Sequence, residues 1–533
     1  MNKRVQDAEG FRGSVRYEGP IHSKNATTVY WGVEWDDPSR GKHNGESGGV
    51  RYFQAAHPTS GSFVLPEKVS LGTGIVDALH ERYMQSEALD TRAAGHVGTA
   101  SGNSKPIQLV GVHKIQEKQD LGVIGKVSAE GSQVAHIGTT GELFRVAPNI
   151  VELNLGFNLL ASWSEVLKLS AELPLLEHLT LSGNILSYDV DVDAPRVVFP
   201  TVHTLVMNQT HTSSWVDLLR ICRDHFPALR QLHAASNAIT NQAMQLDAAS
   251  PLSCSSAVEV LDLSHNELSD WSSLTASIGS WPRLHTLSLN GNRLVQVDPP
   301  SASSRSFAAL SSLSLSDNAI VAWSSVDALN AFPSLEALRL TKNPLLTNVG
   351  AAEARMLVVA RCAALQVFNS SDIRPKERQD AEQMYLRRIL HEQSSLPAGS
   401  DKVIQLTHPR LAQLQALYPD IHAAHEAATT GLGTTGSGGG PAALAKSLAK
   451  VTFVVMSMNA TTMDSMVKSL PLSMTVAQVK AVVEKKYGLR PAEHQLSFRA
   501  SKKAMPIALD DDGGELGYFG VQDGGELLIN DIW

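Results

Sequence analysis

Cysteine is scarce in this chain: Cys222, Cys254 and Cys362 are the only three among 533 residues. They lie far apart and their number is odd, which excludes a disulfide framework and a cysteine-based zinc site. Such sparing use suits a reducing compartment, so a cytosolic protein is expected, with the thiols serving as small buried hydrophobes. Long apolar runs are missing too. None approaches the roughly 18 residues that a membrane span requires. The start, Met1-Asn2-Lys3-Arg4-Val5-Gln6-Asp7, has no apolar core and does not read as a secretory leader. Basic excess is absent: 45 Lys and Arg face 53 Asp and Glu, a net charge of −8. That balance argues against a general nucleic-acid binder.

Catalytic constellations are lacking as well. The 19 histidines show no HExxH or paired metal spacing, and no Gly-x-Ser-x-Gly elbow occurs. Gly72-Thr73-Gly74 lacks the third glycine of a dinucleotide loop and reads as a turn. Asp510-Asp511-Asp512-Gly513-Gly514 lacks the alternating ligands and closing glutamate of a calcium loop and reads as an acidic turn. No catalytic residue, metal ligand or cofactor is therefore expected, and the chain is not read as an enzyme. No heptad run predicts a coiled coil.

What the chain does have is a repeat. Leu-x-Leu-x-x-Asn appears at Leu153, Leu155, Asn158; Leu179, Leu181, Asn184; Leu205, Met207, Thr210; and Leu232, Ala234, Asn237. It continues at Leu261, Leu263, Asn266; Leu287, Leu289, Asn292; Leu313, Leu315, Asn318; and Leu338, Leu340, Asn343. A degenerate ninth copy is placed at Leu365, Val367, Ser370. The last positions are 26, 26, 27, 29, 26, 26, 25 and 27 residues apart, nearly all within the leucine-rich-repeat range. Each Leu-x-Leu predicts a short strand with both leucines inward, because side chains alternate across a strand. The asparagine is expected to turn inward and satisfy turn backbone that would otherwise be buried unpaired. Stacked copies share a core that none could form alone.

A second period overlies the first. Trp163, Trp215, Trp271 and Trp323 each follow the last position of alternate repeats by five residues and open helix-like stretches. Helices are thus expected to alternate with irregular segments on the convex side, with the tryptophans anchoring the core. Outward strand positions are mostly small and neutral, so no charge field marks a partner; a concave protein-binding surface is the default for a solenoid. Residues 371–395 read as a polar cap for the last repeat, followed by a helical segment. Thr429 to Pro441, almost entirely Gly, Thr and Ser, reads as a flexible linker. The C-terminal part has the strand, helix and strand order of a β-grasp, and Gly488 follows its helix as a C-cap.

The first 70 or so residues carry the sharpest motif. Gly41-Lys42-His43-Asn44-Gly45 follows Trp31-Gly32-Val33-Glu34-Trp35 and precedes Tyr52-Phe53. Lysine and asparagine supply donors that can hold a carboxylate. Together with Gly13-Ser14-Val15-Arg16-Tyr17 and Gly61-Ser62-Phe63-Val64, these residues resemble a CAP-Gly domain. That resemblance implies binding of Glu-Glu-Tyr/Phe tails, notably that of α-tubulin. The tail-binding residues carried over are Trp31, Gly41, Lys42, His43, Asn44, Gly45, Tyr52 and Phe53. The family motif usually has Asn and Asp where this chain has His43 and Asn44, which removes one negative charge from the loop.

The whole order is similar to that of the tubulin-folding cofactor E family. The expected fold class is multidomain α+β: a small CAP-Gly β-barrel, an α/β leucine-rich-repeat solenoid and a β-grasp ubiquitin-like domain. Expected boundaries are 1–75 for CAP-Gly, 76–145 for a connecting region, 146–395 for repeats and cap, 396–428 for a helical segment, 429–448 for the linker and 449–533 for the ubiquitin-like domain. The resemblance implies a cytoplasmic, cytoskeleton-associated tubulin chaperone that binds the tail and body of α-tubulin. It would assemble or dissociate the α/β heterodimer with other tubulin-folding cofactors. The chain ends Asn530-Asp531-Ile532-Trp533 rather than in diglycine, so the last domain is expected to dock a protein and not to be conjugated. The alternatives are a CAP-Gly microtubule adaptor, or a scaffold that reaches the proteasome or ubiquitin machinery through the last domain. No nucleic-acid or membrane partner is expected.

Overall fold

The structure is a computed structural model. It describes residues 3–22, 25–92, 96–98, 104–106, 120–190, 196–244, 257–300, 306–347, 349–397, 400–429, 448–456, 464–491, 494–502, 504, 506–517 and 519–531. Most of the expected linker, and Cys254, lie outside these. The chain divides into two compact units. One comprises Met1–Arg293 with Arg305–Leu310, the other Leu294–Ser304 with Ser311–Trp533.

The first unit opens with a small antiparallel sheet. Its strands are β1 (Arg4–Asp7), β2 (Arg12–Ile21), β3 (Asn25–Trp35), β6 (Gly61–Val64) and β7 (Val69–Ser70), ordered β6-β3-β2-β1-β7. A hairpin of β4 (Glu46–Ser47) and β5 (Val50–Arg51) stands beside them. Alternation on β3 puts Trp31, Val33 and Trp35 on one face, packed with Val5 and Val15. Arg4 closes this core edge with a paired contact to Asp36 and a 2.8 Å bond to Ser14 Oγ.

Thr73-Gly74, read as part of a turn, is instead a short strand, β8, parallel to Val134–His136. Only Gly72, at φ +82°, keeps the turn conformation. Helix α1 (Ile75–Arg92) follows directly, with Ile75, Ala78 and Leu79 buried.

The repeats form three-residue parallel strands in strict register. Leu153, Leu179, Leu205, Leu232, Leu261 and Leu287 pair in succession. One strand precedes them: Lys126–Ser128 sets Val127 opposite Leu153. It is a further copy, Val127-x-Ala129-x-x-Ser132, hidden by its small residues.

Each asparagine bridges to the repeat before it. Asn184 donates through Nδ2 to Leu155 O at 2.8 Å and to Leu181 O at 2.9 Å, and its Oδ1 accepts from Leu160 N at 3.2 Å. Asn266 does the same toward Ala234 O and Ile239 N. Thr210 has no amide; its hydroxyl bonds within its own repeat and to Asn237. The residue just before this position takes the left-handed region in every clear repeat of both units: Phe157, Gly183, Gln209, Ser236, His265, Gly291, Asp317 and Lys342.

The expected helices form at Trp163–Leu167, Trp215–His225, Trp271–Ile278 and Ser324–Ala328. Ser162, Ser214 and Asp270 cap the first three by accepting backbone N–H groups. A further short helix, Leu169–Glu172, extends the first, and among the described residues the alternate repeats carry irregular segments there with one short helix at Asn241–Met244. Trp163, Trp215 and Trp271 are buried, as core anchors should be. Trp215 stacks on Trp281 and donates to Ser277 Oγ at 2.8 Å, while Trp163 meets Phe226.

In the second unit Leu313 pairs with Leu338, and Leu338 with Phe368. The ninth copy is therefore three residues later than the spacing suggests. Phe368, not Leu365, takes the first leucine position, and Asn369 Oδ1 accepts from Leu340 N. The chain then folds back through Ser371–Asp372 and ends the parallel run.

The cap is more than polar. Its long helix, Pro375–Ser395, buries Tyr385, Leu386, Ile389 and Leu390 with Ile404, Leu411 and Leu414 from the helices that follow. Those helices begin at Asp401, inside the segment expected to be helical, and break at His408.

The C-terminal sheet orders as Met466–Pro471, Leu448–Val455, Glu526–Asp531, His494–Arg499, Ile507–Leu509. Leu448–Val455 and Glu526–Asp531 run parallel, and the helix Val476–Tyr487 ends at Gly488 with φ +73°. This is the ubiquitin-like β-grasp. Met384 of the cap helix is packed into its core.

Candidate functional site

The loop Gly41-Lys42-His43-Asn44-Gly45 is clamped to the sheet edge. Lys42 N and His43 N donate to Gly61 O at 2.7 and 3.1 Å, and Gly61 N donates to His43 O at 2.6 Å. Tyr52 N donates to Gly45 O at 2.9 Å, and Ala55 N to Asn44 O at 3.2 Å. His43 Nδ1 accepts from Gly45 N at 3.0 Å, so the imidazole braces its own loop.

The two glycines serve the fold first. A Cβ on Gly41 would stand 2.1 Å from Thr59 O, and one on Gly45, at φ +98°, would stand 2.0 Å from Phe53 O. Neither position can carry a side chain without moving backbone. Their close approach is to this chain's own main chain.

Above the loop lies an aromatic cluster centred on Phe63. Its ring centroid is 4.7 Å from His43, 5.4 Å from Tyr52, 5.6 Å from Phe53 and 6.4 Å from Tyr17. Tyr17 and Tyr52 meet edge to face at 5.1 Å. Phe53 lies over Gly32, the smallest residue of β3, where an added Cβ would stand 2.6 Å from its ring. Glu34 holds the next segment by accepting from Ala56 N at 2.6 Å and from Arg16 Nε at 2.7 Å.

Lys42 is exposed and makes no ion pair or side-chain hydrogen bond among the described residues. The half-buried Asn44 likewise keeps its amide uncommitted. A cation and an amide thus stand free beside a partly covered aromatic surface. That combination can receive a carboxylate and an adjoining aromatic or aliphatic side chain.

Of the eight residues expected to bind a tail, Gly41, Lys42, His43, Asn44, Gly45, Tyr52 and Phe53 come together here. Trp31 does not. It faces the opposite side of β3, 7% exposed, with Lys3 Nζ 5.5 Å from its ring centroid. Tyr17 and Phe63 were missed as site residues. Phe63 carried a signal, because it alternates away from the core-facing Val64; Tyr17 shares the parity of Val15, and only a bulge between the two turns it to the groove.

Residues 1–69 match the CAP-Gly domain family, 253–393 a leucine-rich-repeat family and 451–532 a ubiquitin-like domain family. The chain is 32% identical over 539 residues to "Tubulin-specific chaperone E" of Mus musculus, covering 99% of this chain and 98% of that protein. The chain belongs to the tubulin-folding cofactor E family. The Arabidopsis thaliana relative, "Tubulin-folding cofactor E", is 31% identical over 529 residues, 97% of this chain and 95% of that one. Among solved structures, the C-terminal ubiquitin-like domain of mouse tubulin-specific chaperone e is 25% identical. The match covers 19% of this chain and 96% of that domain, with a TM-score of 0.15.

Along this cofactor E family member the CAP-Gly, leucine-rich-repeat and ubiquitin-like matches follow one another in that order. Among its described residues, no helix is long and apolar enough to cross a membrane.

Proposed function

We propose that this chain is a tubulin chaperone that takes hold of the acidic carboxyl-terminal tail of α-tubulin in the Lys42–Phe63 groove. From there it takes part in assembling or dissociating the α/β heterodimer together with other tubulin cofactors. The observation that carries this reading is the uncommitted Lys42 and Asn44 pair beside the Tyr17, Tyr52 and Phe63 rings. A terminal carboxylate would be held by the lysine and the amide, and the last aromatic of the tail would lie on Phe63. Family membership supports the chaperone role. Binding at the tail makes the second contact, with the tubulin body, an intramolecular event of raised effective concentration. The repeats supply the surface for that contact.

Lys42→Ala is expected to weaken binding of a Glu-Glu-Tyr-ended peptide about ten- to a hundredfold, in keeping with a charge-assisted bond of about 1.5–3 kcal/mol. Calorimetric titration with the amidated peptide as control measures it; equal affinity for acid and amide would refute carboxylate capture. The chaperone role is tested by α/β-tubulin exchange. Unchanged exchange with normal tubulin binding would leave only an adaptor, and an adaptor should enrich on microtubules in cosedimentation, whereas a dissociating chaperone should reduce polymer.

A further inference from the structure

The sequence shows no metal spacing among its histidines, yet the repeat stacks three ligand-type side chains at one spot. Glu177 and His178 open one repeat strand, and His203 stands 26 residues after Glu177 at the start of the next. Both His203 N and Thr204 N donate to Glu177 O, at 3.0 and 3.2 Å, which fixes the two strand entries side by side. The candidate ligand atoms of Glu177, His178 and His203 all lie within 4.8 Å of one another. We propose that these three residues bind a zinc ion.

The geometry is close to what the metal needs. Tetrahedral zinc with ligand bonds of about 2.0–2.1 Å separates its ligand atoms by roughly 3.4 Å. His203 Nε2 and Glu177 Oε2 are already 3.3 Å apart. The rings of His178 and His203 sit 4.5 Å apart at 82°, so two imidazoles approach one point from different directions. A small rotation of the half-buried His178 ring closes the set. His203 Nδ1 lies 3.2 Å from Thr204 Oγ1, and that buried hydroxyl steadies the ring while Nε2 remains the coordinating atom. An outer partner of this kind is usual for a metal-binding histidine.

The Glu–His pair by itself recurs three repeats further on, and what is particular to this spot is His178. Glu259 and His285 occupy the positions of Glu177 and His203, with 3.9 Å between His285 Nε2 and Glu259 Oε2. Val260 stands where His178 would be, so that pair lacks the third ligand. Two histidines and one carboxylate leave a fourth zinc position open to water or to a donor from a bound partner. The site is independent of the groove around Lys42.

Cobalt(II) is a suitable probe because its visible absorption reports coordination number. The full chain, stripped with a chelator and then dialysed, is titrated with Co2+ and afterwards with Zn2+. The expected result is one equivalent of Co2+ with the intense absorption of a four- or five-coordinate ion, displaced by Zn2+. His178→Ala and His203→Ala should each weaken it at least tenfold, while circular dichroism in chelator shows the variants folded. Weak octahedral absorption alone, or identical titrations for the parent chain and the His178→Ala/His203→Ala double variant, would overturn the proposal.

Discussion

At the scale of single residues, the repeats carry a conformational demand that composition does not advertise. One position per repeat must adopt φ near +57°, and only Gly183 and Gly291 meet it without a Cβ. Elsewhere Gln, Ser, His, Asp, Lys and Phe occupy it at a cost of about 1–2 kcal/mol each. Ser236→Gly should therefore raise repeat stability by about 0.5–1 kcal/mol once the extra freedom of unfolded glycine is counted. Gly183→Ala should do the reverse and by more, because its Cβ would stand 2.4 Å from the Phe157 ring. Urea unfolding of both variants against the parent measures the two signs; equal midpoints would contradict the strain argument.

The same scale shows what the sequence could disclose. The asparagines announced themselves because an amide can donate to Leu155 O and Leu181 O and accept from Leu160 N at once. The glycines of the Lys42 loop were legible as a turn, but their partners, Thr59 O and Phe53 O, were not. Trp31 was misleading for a simple reason. It has the right chemistry for a groove and the wrong parity on its strand, and parity decides the face. The histidine pair at 178 and 203 was invisible because its spacing is a repeat length and not a helical turn.

Among the elements, buried charges gather where the last repeats meet the cap helix. Arg361 Nη1 reaches Asp327 at 2.7 Å, with both side chains below 10% exposed. The same guanidinium lies 5.2 Å from the Trp323 ring centroid and 5.1 Å from that of Tyr385. Burial pushes the Asp327 carboxyl up, and Arg361 pulls it back. Removing one partner of such a pair costs about 3–5 kcal/mol, whereas replacing both with packed apolar groups can be neutral. Arg361→Met is thus expected to lower stability by about that amount, and Asp327→Leu in addition to recover most of it. A double-mutant cycle in chemical denaturation decides this.

Cys362 lies in the same region, its thiol pushed up to about 12 chiefly by burial. It should resist alkylation at pH 8 in the folded chain.

His408 gives the cap a pH dependence. Its ring bonds Tyr385 Oη at 2.7 Å and Glu392 at 3.2 Å. Burial first, and then Arg361, push it below the ordinary imidazole range, despite Glu392 and Asp327. The unfolded chain therefore binds the proton more readily, so stability falls as pH drops through about 6.5. His408→Gln should flatten that slope in thermal unfolding between pH 7.5 and 5.5. An unchanged slope would assign the dependence to other groups.

Element types were legible wherever periodicity was strong: the repeat strands, the tryptophan-led helices and the β-grasp order all follow from spacing. Register at the two ends of the repeats was not. Val127 and Ala129 were too small to register as a copy, and Phe368 displaced the pattern by three residues because the strand there shortens and turns back.

For the molecule as a whole, the division between CAP-Gly sheet and repeats matters to any dissection. Strand β8 pairs with Val134–His136, and α1 begins at the fully buried Ile75. A chain beginning at Leu71 should fold, lose peptide binding and keep any α/β exchange that depends on the repeats. One beginning at Glu81 discards β8 and the buried Ile75 and Leu79, and is expected to melt lower in a circular dichroism scan. Comparable melting of the two would place the boundary elsewhere.

The tryptophans set a different kind of rule. They recur 52, 56 and 52 residues apart, and each of the first two reaches forward past its neighbour, Trp163 to Phe226 and Trp215 to Trp281. A single repeat is therefore half a word. Deleting or duplicating one would set a tryptophan-led helix against another, leaving one ring without its pocket and one irregular segment doubled. Lineages and engineers alike should find this solenoid growing and shrinking by even numbers.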